Sequence, residues 1–478
     1  MKGYLKQLGK DSIAYGVGGI LAKAMIFLLM PVYTRIFSPA DYGTITMLTV
    51  LTSFLGAVLT MGMGATQTFY FFEQKKEGNV AQARVITAIF QWRLTWGLIL
   101  VGGAFLLSPI LNRQFFDGQL TWLYFALAFA GCFFLNLYRQ STGLFRLRYR
   151  PWSYITLMIG HTLLSATIAL VLILGFDWGI LGFVTGTTTG TCCMALVGWQ
   201  MNRSYLDWSR WHREWWPRIV RFGAPLVPAE LAMYVLNTSD RWFISHYHGQ
   251  DELGLYAVGA NFAMILALAV VTFRQAWWPI AMDAMHSDDG PALFREIARL
   301  YMGLGTAGVV LLTAFSPLLV RWFTGPAFHA AYPIVGILAW HSLFYGAYLI
   351  IVAGIWKREK TAFISLLMGI AAFLNIGLDA LLVPQYGSIG AAAATSFSFL
   401  FWNILTIWLS ERLWRVNYPY HILIVQICVG VTGSILILYL YTMRQAWWMI
   451  VFVTFLAGSL SGCLSVSRKN IKTLLNKL

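Results

Sequence analysis

Runs of about 20 apolar residues, the length that a helix needs to cross a bilayer core of ~30 Å, recur along the entire chain. Short polar segments separate these runs, which predicts an all-α integral membrane protein with about fourteen transmembrane helices. The predicted spans are 12–36, 43–70, 85–111, 120–139, 151–175, 179–201, 217–244, 253–281, 294–322, 330–355, 361–383, 388–411, 419–441 and 446–466. The longest polar stretch, from Asn202 to Arg218, is rich in tryptophan and typical of a membrane interface, so no separate soluble domain is expected.

The composition changes this picture only in its charge. Of the 478 residues, 58% are hydrophobic and 11% are charged, whereas soluble chains carry about 25% charged residues, which excludes a soluble enzyme. The 34 Lys and Arg residues outnumber the 19 Asp and Glu residues, for a net charge of +15. In a polar protein such an excess would suggest a nucleic-acid partner.

Here the basic residues fall mainly in alternate breaks between the predicted spans. About three quarters of them lie on one side, in clusters that begin at Lys2, Lys75, Arg139, Arg203, Arg295, Lys357, Arg412 and Arg468. The opposite breaks hold only Arg35, Arg113, Arg321 and Arg444. Because basic loops stay in the cytoplasm, both termini are expected to be cytoplasmic, as an even number of spans requires. The charge therefore indicates orientation in a membrane and predicts no nucleic-acid partner.

Three short sequences recur in the same order at a spacing of about 210 residues, which indicates an internal repeat. Tyr154–Gly160 matches Phe363–Gly369, Gly179–Gly182 matches Gly387–Gly390, and Asp41–Gly43 matches Glu252–Gly254. An offset of six spans preserves orientation, so the repeat is parallel. It predicts an N-lobe (1–210) and a C-lobe (211–412) of six helices each, followed by two further helices and a basic tail (413–478). Two such lobes would enclose a central cleft, where transporters bind their substrates.

Ionised side chains within the spans are expected to face a polar cavity or a partner, since burial in lipid costs about 2.5 to 3.5 kcal/mol or more. Lys23 lies near the middle of the first span, where it either faces the lumen or snorkels toward a nearby acid. The seventh span carries a polar stripe on one helical face. The stripe comprises Glu230, Tyr234, Asn237 and Arg241. It is interpreted either as a substrate surface or as a seam between helices in which Asp240 or Asp379 neutralises Arg241.

Prolines and the remaining polar groups add further candidates. Pro31, Pro225 and Pro228 interrupt the first and seventh spans, so they are predicted hinges. Arg93 and Arg274 are placed to attract a phosphate headgroup, from a substrate or from an anionic lipid. His161, His341 and Asp379, which shares a helical face with Asn375, are candidates for ion coupling, although intramembrane histidines are often simple helix contacts.

The catalytic motifs of common enzymes are missing from the sequence. It contains neither a catalytic triad pattern nor a Walker-type phosphate loop, and its five cysteines lie in apolar segments without metal-ligand spacing. The sequence thus predicts a transporter rather than an enzyme, with no catalytic residues, no metal and no cofactor.

Two stretches of the chain resemble bacterial polysaccharide and O-antigen flippases. One is Lys10 to Gly43, with its Pro31–Gly43 segment PVYTRIFSPADYG, and the other is Phe222 to Tyr256, with FGAPL, Asn237, Asp240-Arg241 and GLY. These flippases belong to the multidrug/oligosaccharidyl-lipid/polysaccharide exporter superfamily, together with the lipid II flippase and MATE-type drug exporters. The resemblance extends over essentially the whole chain and implies a MATE-like fold.

The resemblance also implies a function. It implies alternating-access translocation of undecaprenyl-diphosphate-linked oligosaccharide repeat units across the bacterial inner membrane, for O-antigen, capsule or exopolysaccharide synthesis. The cations Lys23, Arg93, Arg241 and Arg274 would engage the diphosphate or acidic sugars, although they are few for a strongly anionic glycan. Implied partners are the lipid-linked oligosaccharide, membrane lipids, a polysaccharide polymerase and a chain-length regulator.

Two other functions remain open from the sequence. A cation-coupled multidrug exporter of the same superfamily would favour acidic lumen groups, whereas the candidates here are mainly basic. A membrane-embedded glycan polymerase or ligase would need a sizeable extracytoplasmic loop, and the extracytoplasmic connections here are mostly short.

Overall fold

The computed structural model describes Met25 and residues 27–360, 362–443, 445 and 447–465. Within these residues the regular structure is entirely helical. The α-helices are α1 Phe27–Ile36, α2 Pro39–Thr60, α3 Met63–Glu73, α4 Asn79–Leu106, α5 Ser108–Phe116, α6 Trp122–Leu147, α7 Pro151–Phe176, α8 Gly179–Asn202, α9 Trp216–Gly223, α10 Val227–Ala284, α11 Gly290–Phe323, α12 Tyr332–Ile351, α13 Ala353–Lys357, α14 Ala362–Leu413, α15 Tyr420–Thr442 and α16 Trp447–Ser465. Over the described residues, 11 helical segments are long and apolar enough to cross a membrane. The chain is therefore a multi-pass, all-α membrane protein.

The two longest of these segments exceed the length of one crossing, and each contains a glycine that breaks the helix. Gly249 interrupts α10 with φ 78°, and Gly387 interrupts α14 with φ 53°. Both angles lie in the left-handed region that glycine adopts without a steric penalty. The breaks fall between spans that the hydropathy pattern separates, 217–244 from 253–281 and 361–383 from 388–411. The total of fourteen spans stays a prediction.

The chain divides into two compact units between Tyr234 and Val235. Unit 1 contains the helices up to the first turns of α10, and unit 2 contains the rest. The lobe boundaries predicted at 210 and 412 stay a prediction.

Within unit 1, the second predicted span, 43–70, is broken in the middle. The capping box of Ser38 and Asp41 starts α2, which ends at Thr60. Met61 (φ 48°) and Gly62 (φ 65°) are both left-handed, and α3 then begins at Met63. The break brings Gly62 against α9, where a Cβ on Gly62 would lie 2.5 Å from the carbonyl oxygen of Gly223.

The prolines predicted as hinges lie at different kinds of position. Pro225 is in a short 3₁₀ helix, Ala224–Leu226, that separates α9 from α10. Pro228 is in the first turn of α10, where its missing N–H breaks no intrahelical hydrogen bond, and Pro31 lies within α1. The predicted seventh span is thus built from two helices and a turn. Whether these prolines act as hinges stays a prediction.

Two turns of unit 1 have counterparts with similar φ angles in unit 2. Tyr149 and Glu359 follow α6 and α13 with φ 52° and 56°, and Gly179 and Gly387 have φ 50° and 53°. The members of each pair lie about 210 residues apart, as the repeated sequences do. The agreement is local, and a repeat of whole lobes stays a prediction.

Candidate functional site

Unit 1 contains a cavity of about 610 Å³ between α2, α6, α7 and α8, which we call the threonine cavity. Its polar lining is dominated by hydroxyl groups. The hydroxyl-bearing residues are Thr49, Thr52, Ser53, Thr60, Thr187, Thr188 and Thr191. Arg139, His161 and Glu230 supply the ionisable groups of the lining. A wall of this kind is suited to a polar, uncharged ligand that forms many hydrogen bonds.

Most of these hydroxyl groups donate their hydrogen to their own helix. Thr49 donates to the carbonyl of Ile45 at 2.8 Å, Thr60 to that of Gly56 at 2.8 Å, and Thr191 to that of Thr187 at 2.7 Å. Thr52 and Thr187 make equivalent bonds. Such bonds to the carbonyl four residues earlier satisfy the hydroxyl within an apolar helix.

A second cavity of unit 1, of about 880 Å³, adjoins the first and is called the arginine cavity. It lies between α3, α6 and α7 and includes Arg93 of α4. Its cationic and aromatic lining residues are Arg93, Arg139, Arg146, Phe72, Tyr138, Tyr149 and Tyr154. Thr60, Arg139 and His161 line both cavities, which places these three residues at the junction between them.

Arg93, predicted to face the lumen, is tightly held by the protein itself. Its side chain is 3% exposed, and its Nη1 donates to the Oδ1 of Asn136 at 2.6 Å and to the carbonyl of Asn136 at 3.0 Å. The Nε of Arg93 has no hydrogen-bond partner among the described residues. Arg93 therefore contributes charge to the arginine cavity from a fixed position.

Arg139 is a cation of both cavities that the sequence pattern places outside the membrane spans. The hydropathy pattern groups Arg139 with the basic residues of a polar break because the predicted span ends at 139, but α6 continues to Leu147. Its side chain is exposed at the junction, and no carboxylate lies within ion-pair distance of it among the described residues. Its charge acts on both Arg93 and His161. The position of one basic residue relative to a helix end could not be read from hydropathy alone.

Glu230 and Tyr234, the first half of the predicted stripe, make their contacts within unit 1. The Glu230 carboxylate interacts electrostatically with the backbone amide of Gly62, and its charge acts on Arg93. The hydroxyl of Tyr234 donates to the carbonyl of Val50 at 2.8 Å. Glu230 reaches the threonine cavity, whereas Tyr234 is engaged with α2.

His161 is engaged with two neighbours at the junction of the cavities. Its Nε2 lies 3.0 Å from the Oγ1 of Thr191, and its ring stacks on that of Tyr138 with 4.7 Å between centroids. Of the two histidines predicted for ion coupling, it is the one that lines a cavity described here. His341, in unit 2, packs edge-on against Phe399 at 4.2 Å.

Unit 2 contains a buried acidic pair, Asp240 and Asp379. Asp240 is 3% exposed and accepts hydrogen bonds from the hydroxyl of Tyr256, from the backbone N of Arg241 at 2.8 Å, and from Thr395 at 3.4 Å. The Nη1 of Arg241 lies 3.3 Å from Asp240 and also donates to the carbonyl of Asn237 at 2.5 Å. This arrangement matches the alternative in which Arg241 is neutralised by its neighbour.

Asp379 is fully buried and only partly satisfied. Ser239 donates to its Oδ2 at 3.0 Å and is also 2.7 Å from the Oδ1 of Asn375. The Oδ1 of Asp379 has no partner among the described residues, and the charge of Asp240 acts on this carboxyl group. Two carboxyl groups so placed would repel each other if both were ionised, so the site is suited to hold a proton or a cation.

Two predicted cations are not in these clusters. Lys23 lies outside the described residues. Arg274 is exposed on α10 and lines neither cavity of unit 1. Among the described residues, no three His, Cys, Asp or Glu side chains are grouped as a metal centre would require.

Known structures share this fold. The "Lipid II flippase MurJ, inward closed conformation" has a TM-score of 0.72 at 14% identity, covering 94% of this chain and 98% of that chain. The "Inward-facing conformation of a multidrug resistance MATE family transporter of the MOP superfamily" has a TM-score of 0.64 at 13% identity, covering 83% and 94%. At such identities the likeness establishes the fold, which is MATE-like.

Sequence comparisons indicate the family. The chain is 25% identical over 285 residues to "Lsg locus putative protein 1" of Haemophilus influenzae, a match that covers 58% of this chain and 66% of that protein. The chain thus spans slightly less than two thirds of the length of this curated relative. Residues 8–285 match the family model described as "Polysaccharide biosynthesis protein". Since this match includes more than half of the residues of the chain, the chain belongs to the polysaccharide biosynthesis protein family.

Proposed function

We propose that this protein is a flippase that moves undecaprenyl-diphosphate-linked oligosaccharide repeat units across the bacterial inner membrane for the synthesis of O-antigen, capsule or exopolysaccharide. One observation carries the proposal: a hydroxyl-lined cavity and a cationic cavity meet at Arg139 within a membrane-spanning unit. Membership of a polysaccharide biosynthesis family and the fold shared with a lipid II flippase support it.

The two cavities match the two polar parts of such a substrate. Guanidinium groups bind phosphate through charge-assisted hydrogen bonds, so Arg139 and Arg146 would hold the diphosphate, with Arg93 adding fixed charge. The hydroxyl groups of the threonine cavity would accept hydrogen bonds from the sugars. The polyprenyl tail would remain in the lipid, while alternating access exposes the polar groups first to one side and then to the other.

The intramembrane cations outside these cavities belong to the same proposal. Lys23, Arg241 and Arg274 would interact with the diphosphate or with acidic sugars at other stages of the cycle. Both termini would be cytoplasmic, as the charge distribution predicts. A polysaccharide polymerase and a chain-length regulator would act on the product.

The acidic pair of unit 2 would couple transport to an ion gradient. Asp379 is fully buried with an unpartnered carboxyl oxygen, and Asp240 lies close enough for its charge to act on it. Binding a proton or a monovalent cation would relieve the repulsion between the two carboxylates. Release on the other side of the membrane would restore it and favour the reverse conformational step.

The experiment that tests the function uses a deletion strain and purified protein in liposomes. Arg139→Gln is expected to reduce surface glycan and the transport of a lipid-linked saccharide at least about tenfold, a loss of ~1.4 kcal/mol of binding, and Arg139→Lys to retain part of both. Arg113→Gln is the matched control, since Arg113 is exposed on α5 and lines neither cavity. Lys23→Ala and Arg274→Ala test the other cations. Normal glycan export in Arg139→Gln, Lys23→Ala and Arg274→Ala at normal protein levels would exclude the cationic mechanism.

A cation-coupled multidrug exporter is the second candidate, and the observation in its favour is the buried carboxyl groups of Asp240 and Asp379, together with the half-buried carboxyl group of Glu230. Such groups could hold cationic drugs. The discriminating measurement is the drug sensitivity of the deletion strain. Unchanged sensitivity together with lost surface glycan selects the flippase, and the opposite pattern selects the exporter.

A further inference from the structure

Tyr149 occupies an unusual backbone position at the edge of the arginine cavity. It follows α6, has φ 52°, and its side chain is 55% exposed while lining the cavity. Residues with bulky side chains rarely adopt this left-handed conformation, because the Cβ crowds the backbone. The turn alone therefore does not explain why a tyrosine occupies this position.

The equivalent turn of unit 2 shows that the turn does not need an aromatic residue. The backbone N–H of Tyr149 bonds the carbonyl of Arg146 at 3.2 Å, and that of Glu359 bonds the carbonyl of Trp356 at 2.9 Å. The next residues also correspond, since the backbone N–H of Arg150 donates to the carbonyl of Phe145 at 2.9 Å and that of Lys360 donates to the carbonyl of Ile355 at 3.1 Å. The same left-handed turn therefore forms with glutamate in unit 2. An aromatic residue occupies this turn only in unit 1, the unit that contains the arginine cavity.

The surroundings of Tyr149 indicate what its ring would contact. The guanidinium of Arg146 lies 5.7 Å from the ring centre of Tyr154, and both residues line the same cavity. Gln67 and Thr142 add polar groups to the lining. An exposed aromatic face beside a guanidinium and hydrogen-bonding groups is suited to a sugar ring attached to a phosphate, because the C–H face of the ring is apolar and its edge is polar.

We propose that Tyr149 is a sugar-binding residue, on which the hexose ring adjoining the diphosphate stacks while Arg139 and Arg146 hold the phosphates. The inference rests on the proposed function and specifies which part of the substrate lies in the arginine cavity. It assigns the sugar contact to the end of α6, on the side that the charge distribution assigns to the cytoplasm. Tyr149 would thus contact the substrate before the sugars enter the threonine cavity.

The test compares two probes that differ only in the sugar. Binding of farnesyl-diphosphate-linked glucose and of farnesyl diphosphate to the full-length protein in detergent would be measured by calorimetry. Tyr149→Asn removes the ring while keeping a residue that adopts left-handed backbone readily. We expect this variant to bind the sugar-bearing probe about fivefold more weakly and the sugar-free probe as the wild type does, whereas Tyr149→Phe binds both normally.

Controls separate this inference from the proposed function. Glu359→Asn, at the equivalent turn, is expected to leave both affinities unchanged, and Arg139→Gln to weaken both probes alike. Normal binding of the sugar-bearing probe by Tyr149→Asn overturns the sugar contact alone. An equal loss for both probes, or a lower melting temperature without any difference between probes, also overturns it and identifies Tyr149 as an interfacial anchor. A wild-type protein that binds neither probe would remove the proposed function and this inference together.

Discussion

The carboxylate of Glu230 interacts electrostatically with the backbone amide of Gly62, so a side chain at the start of α10 faces the break between α2 and α3. A helix that ends and restarts leaves amide groups without intrahelical partners. The Glu230 carboxylate interacts with one of these amide groups, that of Gly62, and its charge also acts on Arg93. The acidic residue therefore has a structural task in addition to its place in the threonine cavity.

Gly62→Ala is expected to destabilise the protein. The substitution places a Cβ at φ 65° and 2.5 Å from the carbonyl oxygen of Gly223, so both the backbone and α9 must shift. We expect a loss of about 1–2 kcal/mol from the backbone conformation alone, measured as a lower midpoint of thermal unfolding in detergent. Gly64→Ala is the control, since nothing lies within 4 Å of its added Cβ. Equal midpoints for the two variants would contradict the tight contact.

Asn136→Ala is expected to destabilise unit 1 through Arg93. The Oδ1 of Asn136 accepts from Arg93 at 2.6 Å, and its removal leaves a buried guanidinium under-satisfied, at a cost of about 1–3 kcal/mol. The double variant with Arg93→Met should be less destabilised than the sum of the single variants, because the unsatisfied charge is gone. A double-mutant cycle of unfolding free energies measures this coupling, and strict additivity would show that the bond contributes nothing.

Asp379→Asn is expected to abolish the dependence of transport on an ion gradient. Asparagine has the same shape and keeps a group for Ser239 to bond, but it cannot bind or release a proton. Transport would be measured in liposomes with an imposed pH gradient or an imposed Na⁺ gradient, and the gradient that stimulates the wild type identifies the ion. His161→Gln and His341→Gln test the other candidates. If Asp379→Asn retains stimulation and a histidine variant loses it, coupling resides at the histidine.

Ser209→Ala is expected to lower the stability of the polar segment 203–215 at neutral pH, by an amount that becomes smaller in acid. Ser209 donates to the Oδ1 of Asp207 at 2.5 Å, and this bond, with the nearby His212, lowers the pKa of Asp207 below its usual 3.8. The ionised carboxylate therefore contributes stability that is present above the unfolded pKa and lost as pH falls through the lower folded pKa. Removal of the bond brings the folded pKa closer to the unfolded value, so the variant lacks this contribution above about pH 4 and differs less from the wild type at lower pH.

The measurement for this prediction is the midpoint of thermal unfolding between pH 3 and 7, conditions that bracket the usual range of carboxyl groups. Ser204→Ala, an exposed position in the same segment, is the control. Identical pH profiles for the two variants would show that Ser209 does not influence Asp207.

The sequence pattern predicted the helical membrane fold well because long apolar runs have few alternatives in lipid. Polar breaks located helix ends such as Phe176 and Gly179 within a residue or two of the observed bounds. The break at Met61 and Gly62 was not predicted, because it lies inside an apolar run and its stabilising partner, Glu230, is far away in sequence. Hydropathy contains no information on such long-range contacts.

The candidate site was predicted only in part, for a related reason. A charged residue inside an apolar run is visible in the sequence, as are Arg93, Glu230 and Asp379. Arg139 lies where an apolar run ends, so the charge pattern places it with the basic breaks, although α6 continues to Leu147. The sequence also could not show that Arg93 is bonded to Asn136 while Arg139 is free of carboxylates within ion-pair distance among the described residues. That distinction depends on side-chain packing.

The hydroxyl groups of the threonine cavity have a consequence for ligand selectivity. Because residues such as Thr49, Thr60 and Thr191 give their hydrogens to their own helices, they turn lone pairs, and not O–H groups, toward the cavity. A surface of hydrogen-bond acceptors binds molecules that are rich in O–H and N–H donors and repels anionic oxygen atoms. Neutral parts of a ligand can therefore move along this surface by exchanging weak hydrogen bonds. Each negatively charged group needs a guanidinium beside it, so the number of available guanidinium groups limits how much negative charge the cavity can accommodate.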